Sequence, residues 1–387
     1  MGADAIILEQ PLRGRWVKML GFAIGSLFPQ LKDPEAYATW ADEVERVFNL
    51  IPSIKNLQVR GGRSGYALFD TEDVEDPGSL IYHPIPIHGT VSFTINIPSR
   101  VQNRLNPLWS TSIDNKVEEF LVFIELDSDY PYTWVAVSGD DVVKPSGAIV
   151  VVREFLCEEI AKLSEKSTLT LTTLGPSPFH ADFFVEESGQ AEGEVVVPGL
   201  RVSLQRGRNS YSKCTFFYDG AEFDSPAHAV EAIRQKVGPE FATFYWLTAE
   251  KVVKLLGMDA LTAWVDEGVS MYRNRGMVNW LRRVLTSRSL LRNISLQLLK
   301  IQMDMTRTQR SNSKKIEELG ANRGALLFDS ELKGVSSLDY GSDLENLGAT
   351  LKVLESQHTQ TVQRLTAFAV SLLGVMVGAF LTAALRK

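Results

Sequence analysis

The sequence predicts an α+β body followed by a helical stalk and one C-terminal transmembrane helix. Several segments in the first part of the chain have the composition or the alternating pattern of strands, as Val91–Ile97 does. After Pro226 the pattern changes to that of helices. The last apolar stretch, Leu365–Leu385, contains no charged side chain. Strands that come first and helices that follow are typical of an α+β protein.

The first part of the chain is predicted to mix helices and strands. A helix begins at Asp33-Pro34-Glu35, an N-cap residue followed by proline and an acid, and runs to about Leu50. Residues 54–69 are predicted to form a β-hairpin that turns at residues 60–65, and residues 149–166 a helix. The other predicted strands are Val91–Ile97, Phe120–Leu126, Thr133–Val137, Leu169–Leu174, Ala181–Glu186, Glu194–Gln205 and Lys213–Tyr218.

Two helical patterns follow the strands. Apolar residues from Leu291 to Met305 recur at alternating spacings of three and four, which indicates an amphipathic helix or a coiled coil. The same spacing returns near the C-terminus and predicts one helical rod from Ser342 to the chain end. This rod packs against identical copies or against its own earlier helix. The residues of this second pattern, called the stalk seam below, are Leu344, Leu347, Leu351, Leu354 and His358.

These patterns divide the chain into six predicted regions. They are an α+β domain (1–166), a strand-rich continuation of it (167–225), a basic helical region (226–319), a connector (320–341), a coiled-coil stalk (342–364) and a transmembrane helix (365–385).

The final stretch has the length of a membrane span. Its 21 residues extend about 31 Å as a helix, which matches the roughly 30 Å hydrocarbon core of a bilayer. Small residues lie along it and predict close packing of two such helices in lipid. These membrane-helix packing residues are Ala367, Ser371, Gly374, Gly378 and Thr382.

Charge is unevenly distributed along the chain. The segment from Ser270 to Lys315 contains eleven Lys or Arg residues and one acid, Asp304, so it carries +10 within a chain whose net charge is −7. Three interpretations are open: contact with anionic lipid headgroups, binding of nucleic acid or a nucleotide, or a solvated face of the stalk that neutralises the acidic body. The arginines concerned are Arg273, Arg275, Arg282, Arg283, Arg288 and Arg292.

Other candidate chemistry is sparse. Arg60, Gly61, Gly62 and Arg63 are candidates for holding a phosphate, but they precede a strand where a P-loop needs a helix, which favours a hairpin turn. The two cysteines suit a reducing compartment. We predict no metal site, no cofactor and no identifiable catalytic group.

The plan of body, long helix and C-terminal span resembles that of CorA-type ion transporters. The segment Gln357-His358-Thr359-Gln360-Thr361-Val362-Gln363-Arg364-Leu365-Thr366 looks like their stalk where it enters the bilayer, and the likeness covers about the last 100 residues. The Gly-Met-Asn signature and a second span, both features of that family, are absent from the sequence. The resemblance therefore implies a similar plan and leaves ion conduction as one alternative.

The combined prediction is a non-enzymatic, single-pass membrane protein. Its body lies in the cytoplasm, because the N-terminal residues do not have the pattern of an export signal, and binds a ligand or partner. Its stalk and membrane helix assemble into a homo-oligomer, as in a membrane effector or scaffold. The alternatives are a membrane-tethered enzyme whose site is assembled from the body and a subunit of a CorA-like channel.

Overall fold

The computed structural model describes residues 19–31, 40–61, 89–106, 118–126, 131–138, 144–163, 167–173, 181–188, 193–206, 212–273, 277–337 and 340–385. Contacts divide the chain into two compact units. Among the described residues, the body unit comprises those up to Ala249 together with Lys314–Val335. The helical unit comprises Glu250–Ser313 and the described residues from Ser336 onwards.

A nine-stranded sheet forms the centre of the body unit. Its strand order is β3-β4-β5-β6-β1-β8-β11-β10-β9, and every pairing is antiparallel except the parallel pair β8–β11. Strands β2 and β7 pair separately. The strands are β1 (Met19–Gly25), β2 (Leu27–Leu31), β3 (Ile54–Gly61), β4 (Gly89–Asn96), β5 (Glu119–Leu126), β6 (Tyr132–Ser138), β7 (Leu169–Thr173), β8 (Ala181–Glu187), β9 (Glu194–Val197), β10 (Leu200–Gln205) and β11 (Ser212–Tyr218).

Seven helices accompany the strands in the described part of the chain. They are α1 (Trp40–Phe48), α2 (Ser99–Leu105), α3 (Ser146–Lys162), α4 (Pro226–Arg273), α5 (Met277–Arg323), α6 (Asp329–Ser336) and α7 (Gly341–Leu385). Helix α4 belongs to the body unit up to Ala249, and helix α5 belongs to it from Lys314. The remainder of both helices belongs to the helical unit.

The large sheet is buried on both faces. Neighbouring residues of a strand point to opposite faces, and in β1 the side chain of Phe22 enters one apolar cluster and that of Ala23 enters another. The first cluster includes α4 residues such as Phe241, and the second includes residues of α1 and α3 such as Trp40 and Leu156. The body unit therefore has helices on both sides of its sheet.

Two ionic side chains, one half-buried and one buried, add polar contacts to this packing. The guanidinium of Arg234 on α4 binds Glu125 on β5 and, at 2.7 Å, Glu231, and it lies 4.9 Å from the ring centre of Phe123. The carboxylate of Glu240, 5% exposed, accepts hydrogen bonds from the backbone N–H groups of residues 327 and 328. Each charge removed from water thus has hydrogen-bond partners, which such burial requires.

The predicted fold class is confirmed in its coarser form: a mixed sheet body precedes a long apolar C-terminal helix.

The predicted strand Glu194–Gln205 is two strands, β9 and β10, because Gly199 turns the chain at φ +74°. The predicted hairpin over residues 54–69 is represented by β3, whose described partner is β4; its second arm lies outside the described residues. Strands β1 and β2 and helix α2 were not predicted.

The carboxylate of Glu43 on α1 gives a testable prediction of pH dependence. It accepts hydrogen bonds from the guanidinium of Arg46, at 2.5 and 2.7 Å, and from the hydroxyl of Thr168. The Arg46 contact in particular lowers the pKa of Glu43 from 4.5 to about 2. A carboxyl whose pKa is lower in the folded state contributes stability above its unfolded pKa and loses it as the pH falls towards the folded pKa.

We therefore expect Glu43→Gln to lower the free energy of unfolding by about 1 kcal/mol at pH 7, and by less at pH 3. Thermal unfolding in detergent measures both differences. Glu45→Gln, an exposed residue of the same helix, is the control and should show a smaller effect. An equal loss at both pH values for Glu43→Gln would contradict this explanation.

Candidate membrane anchor and helical bundle

Helix α7 is continuous from Gly341 to Leu385, as the predicted rod requires, but its two halves have different surroundings. In the first half Leu344, Leu351 and Leu354 are each less than 10% exposed, and Leu347 is partly buried. In the second half every described side chain from residue 366 to residue 379 is exposed. One helix therefore has a packed half and a half whose described side chains are exposed.

The stalk seam packs against helices of the same chain. Its leucines share an apolar cluster with side chains of α4 and α5. A Cβ added to Gly348 would lie 3.7 Å from Leu298 of α5, and one added to Gly268 of α4 would lie 3.2 Å from Leu354. The cluster partners of the seam are Met258, Leu261, Val265, Leu291, Ile294, Leu298 and Met305. The stalk seam therefore packs against the chain's own earlier helices, which are one of the two predicted partners of the rod.

Polar contacts fix the register of these three helices. Nδ1 of His358 lies 2.8 Å from the hydroxyl oxygen of Ser287, a residue of α5 that is 1% exposed. The hydroxyl of Ser295 donates to the carboxylate of Glu355 at 3.0 Å. The ammonium of Lys254 on α4 pairs with Asp304 on α5. Helix α5 therefore runs antiparallel to α7 and to α4, and His358 is a packed seam residue.

The exposed half of α7 is apolar on all sides. Phe368, Leu373, Val375 and Met376 are between 61% and 70% exposed. At 100° per residue Val375 lies within about 20° of Phe368, whereas Met376 and Leu373 lie about 80° and 140° from it, so the four side chains cover nearly half of the helix circumference. The helix is long and apolar enough to cross a membrane, and none of its most apolar segment is buried. A core helix of a water-soluble protein passes the same test of length and composition but is buried.

The predicted membrane-helix packing residues lie in this exposed half. A Cβ added to Gly374 or Gly378 would have no atom within 4 Å, so both positions face open space. The hydroxyl of Ser371 donates to the carbonyl of Ala367 in the same helix at 2.9 Å, as that of Thr366 does to Val362. The side chain of Thr382 lies outside the described residues. The helix thus satisfies its described hydroxyls internally, as a span must.

The predicted basic residues are distributed over two helices. Arg273 ends α4, and Arg288 and Arg292 lie on α5; all three are exposed. Arg282 and Arg283 belong to the first turns of α5, but the description covers only their backbone, and Arg275 lies outside the described residues. The three arginines whose side chains are described therefore lie near one end of the helical unit.

The predicted phosphate loop is only partly described. Arg60 and Gly61 end strand β3 and pair with Thr90 and Gly89 of β4. Gly62 and Arg63 lie outside the described residues. The described half of this motif therefore belongs to a strand at the edge of the sheet. The binding of a phosphate by these four residues stays a prediction.

The described part of the body contains no group of three or more His, Cys, Asp and Glu side chains that could hold a metal. Burial raises the pKa of both the Cys157 and the Cys214 thiols, which disfavours the reactive thiolates. Burial also raises the pKa of Asp182, whose carboxylate accepts a hydrogen bond from the Ser146 N–H at the start of α3. These groups are explained by packing and by helix capping.

No family model, no curated protein and no solved structure matches this chain. Nothing in these comparisons bears on the resemblance to CorA-type transporters, which stays a prediction.

Sequence reasoning missed Ser287 as the partner of His358. The signal was present, because Ser287 lies four residues before Leu291 on the same three-four pattern as Ile294 and Leu298. A polar residue on an apolar stripe indicates a polar partner on the facing helix. His358 was the one polar member of the stalk seam, so the two stripes already contained one polar position each.

The contact between α5 and α7 within one chain can be tested by cross-linking. In a Cys157→Ser background, we expect Ser295→Cys and Glu355→Cys to be joined by a short bismaleimide within a single chain, since the native side chains touch. The product should keep the mass of one chain and migrate faster in denaturing gels. Cys214 is buried and should not react.

Each single-cysteine variant is the control and should give no intrachain product. A product with the mass of two chains from the double variant would show instead that the stalk seam pairs between copies.

Proposed function

We propose that this chain is a non-enzymatic, single-pass membrane protein, anchored by the second half of α7 and associated with other copies through that same segment. The observation that carries the proposal is the exposure of residues 366–379 on all sides of the helix. Burial of a large apolar side chain is worth about 1.5–3 kcal/mol relative to water. Seven such residues between Phe368 and Val377 are more than half exposed. The transfer of this segment from water to lipid is therefore strongly favourable.

Lipid also suits the backbone of the segment. An α-helix satisfies its N–H and C=O groups internally, and this is what allows it to cross a hydrocarbon layer. No charged side chain occurs between Arg364 and Arg386. The anchor therefore needs no polar partner along its length, and the body remains outside the bilayer.

Association between copies is assigned to the membrane segment rather than to the stalk seam. The leucines of the seam already pack against α4 and α5, and pairing them between copies would separate those helices. Gly374 and Gly378 have open space around them, and their spacing of four puts both on one side of the helix. In lipid, small residues on one side let two helix backbones approach closely.

The body is proposed to face the cytoplasm and to bind a partner or ligand. One observation supports the location: both cysteines are free, as is usual in a reducing compartment.

Anchoring can be tested with the variant Leu373→Arg/Val377→Arg. A charged residue at the centre of a span costs about 2.5–3.5 kcal/mol in insertion, so two should prevent stable anchoring without shortening the chain. We expect the unmodified chain to stay in the membrane pellet after carbonate washing and the double-arginine variant to be released. Leu373→Ile/Val377→Ile is the control and should stay in the pellet. Release of the unmodified chain would refute the anchor.

Association through the glycines can be tested by the mass of the protein in detergent. We expect the unmodified chain to have the mass of an oligomer and Gly374→Leu/Gly378→Leu to have the mass of one chain, because the leucines separate the backbones. Ala369→Leu adds bulk on the opposite side of the helix and should leave the oligomer intact. Equal masses for the unmodified chain and the glycine variant would remove this part of the proposal.

A further inference from the structure

Helices α4 and α5 of the helical unit each have a second apolar group, on the side away from the three-helix cluster. At 100° per residue, the centre of each group lies roughly 140° around its helix from the centre of the side chains that enter the cluster. Apolar residues grouped on an exposed helix face indicate a contact surface. The α4 group, 36–46% exposed, consists of Val252, Leu255 and Leu256, and the α5 group, 54–57% exposed, consists of Leu296, Leu299 and Met303.

The exposed charged residues beside these two groups have opposite signs. Asp259 and Asp266 lie on the same arc of α4 as its apolar group. On α5, Arg292 lies on the arc of the apolar group and Lys300 about 40° beyond it. The α4 group with its two aspartates is called the acidic face below, and the α5 group with its two cations is called the basic face.

The two faces also match along the axis of the bundle. Lys254 of α4 pairs with Asp304 of α5, and the two helices are antiparallel. One step towards the C-terminus of α4 therefore corresponds to one step towards the N-terminus of α5. The pairs of residues that this relation places at nearly the same level are Leu256 with Met303, Asp259 with Lys300, and Asp266 with Arg292.

We propose that the acidic face of one copy packs against the basic face of a second copy of this chain. This inference rests on the anchor proposed above, because two copies with α7 in the same bilayer and the same direction hold their helical units at the same height. Helix α4 of one copy then meets α5 of the other with the levels preserved. Apolar side chains meet apolar ones, and each aspartate meets a cation.

The charges favour this pairing over the other contacts that two copies could make. Two basic faces would bring four cations together, and two acidic faces would bring four carboxylates together. Like charges placed against each other disfavour an interface, whereas opposite charges fix its register. A second copy of this chain supplies the complementary face at the matching level, which is the reason for choosing it as the partner.

The contact is expected to be weak without the membrane. Each face contributes three large apolar side chains, whereas stable interfaces bury at least about 1,200 Å² in total. Anchoring raises the effective concentration of one copy near another, so that weak contacts form. The contact between faces therefore adds to the association through Gly374 and Gly378 and does not replace it in dilute detergent.

Cross-linking between two singly substituted full-length chains tests the contact. In a Cys157→Ser background, one chain carries Leu256→Cys and the other Met303→Cys, each with a different tag. After joint reconstitution into phosphatidylcholine vesicles, a short bismaleimide should give a product that contains both tags. Asn346→Cys, an exposed position of α7 near the same level, replaces Leu256→Cys in the control and should give little of this product.

Reversal of charge separates a specific contact from random collisions. Asp259→Lys/Asp266→Lys in the chain that carries the α4 cysteine should lower the yield of the two-tag product about fivefold, since two exposed ion pairs become repulsions. Arg292→Glu/Lys300→Glu in the chain that carries the α5 cysteine should then restore the yield. A variant that had merely lost its structure would not be rescued by a change in the other chain.

A second reversal on α5 is the matched control for this rescue. Arg307→Glu/Arg310→Glu changes two other exposed cations of the same helix. These residues lie about 10–15 Å farther along α5 than Lys300, beyond the level of the two aspartates. This variant should therefore leave the yield low.

The outcomes distinguish this contact from the association proposed above. Absence of the two-tag product, or a yield that ignores charge reversal, would overturn the contact; an oligomer in detergent that depends on the glycines would leave the first association standing. A charge-sensitive product from chains whose mass does not depend on the glycines would support the contact alone. Loss of the product in vesicles that contain phosphatidylserine would assign the basic face to lipid headgroups instead. Failure of the chain to stay in vesicles would overturn both proposals.

Discussion

The constraint on which the rest of this structure depends is that helix α7 is continuous across two environments. Its first half is held by leucines that pack into the three-helix cluster. Its second half has the same helical backbone, but its described side chains from residue 366 to residue 379 are exposed. A helix that is apolar on all sides is stable only where water is excluded. The lipid environment proposed above for the second half meets this requirement.

The packed half also fixes where the apolar half begins. Gly348 faces Leu298, and His358 contacts Ser287, so the axial position of α5 against α7 is set at two places about 15 Å apart along α7. Sliding by one residue would break the polar contact and misalign the leucines. The residue of α7 at which the apolar half begins therefore has a fixed level relative to α5.

Sequence periodicity predicted the elements whose environment is uniform along their length. The stalk seam and the anchor follow the helical period without interruption, and strands β4, β5 and β8 were found with nearly correct ends. Strand β1 was missed because both of its faces are buried. Phe22 and Ala23 enter opposite clusters, and a strand buried on both faces shows no alternation of polar and apolar residues.

Pairings between distant segments could not be predicted in the same way. The parallel pair β8–β11 and the central position of β1 depend on contacts between residues far apart in sequence, and periodicity reports only the face that each residue occupies. The contact between His358 and Ser287 is of this kind, since it joins residues 71 positions apart. In the sequence, the only sign of this contact is that each of the two apolar stripes contains one polar residue.

The distribution of charge connects the fold with the proposed place of the protein at a membrane. The chain is acidic overall, yet the basic segment alone carries +10, so the rest of the chain carries −17. An anionic lipid surface attracts the first and repels the second within a distance of about 10 Å. Most of this basic segment belongs to the same unit as the proposed anchor, so the part of the chain that an anionic surface attracts is the part that carries the apolar helix.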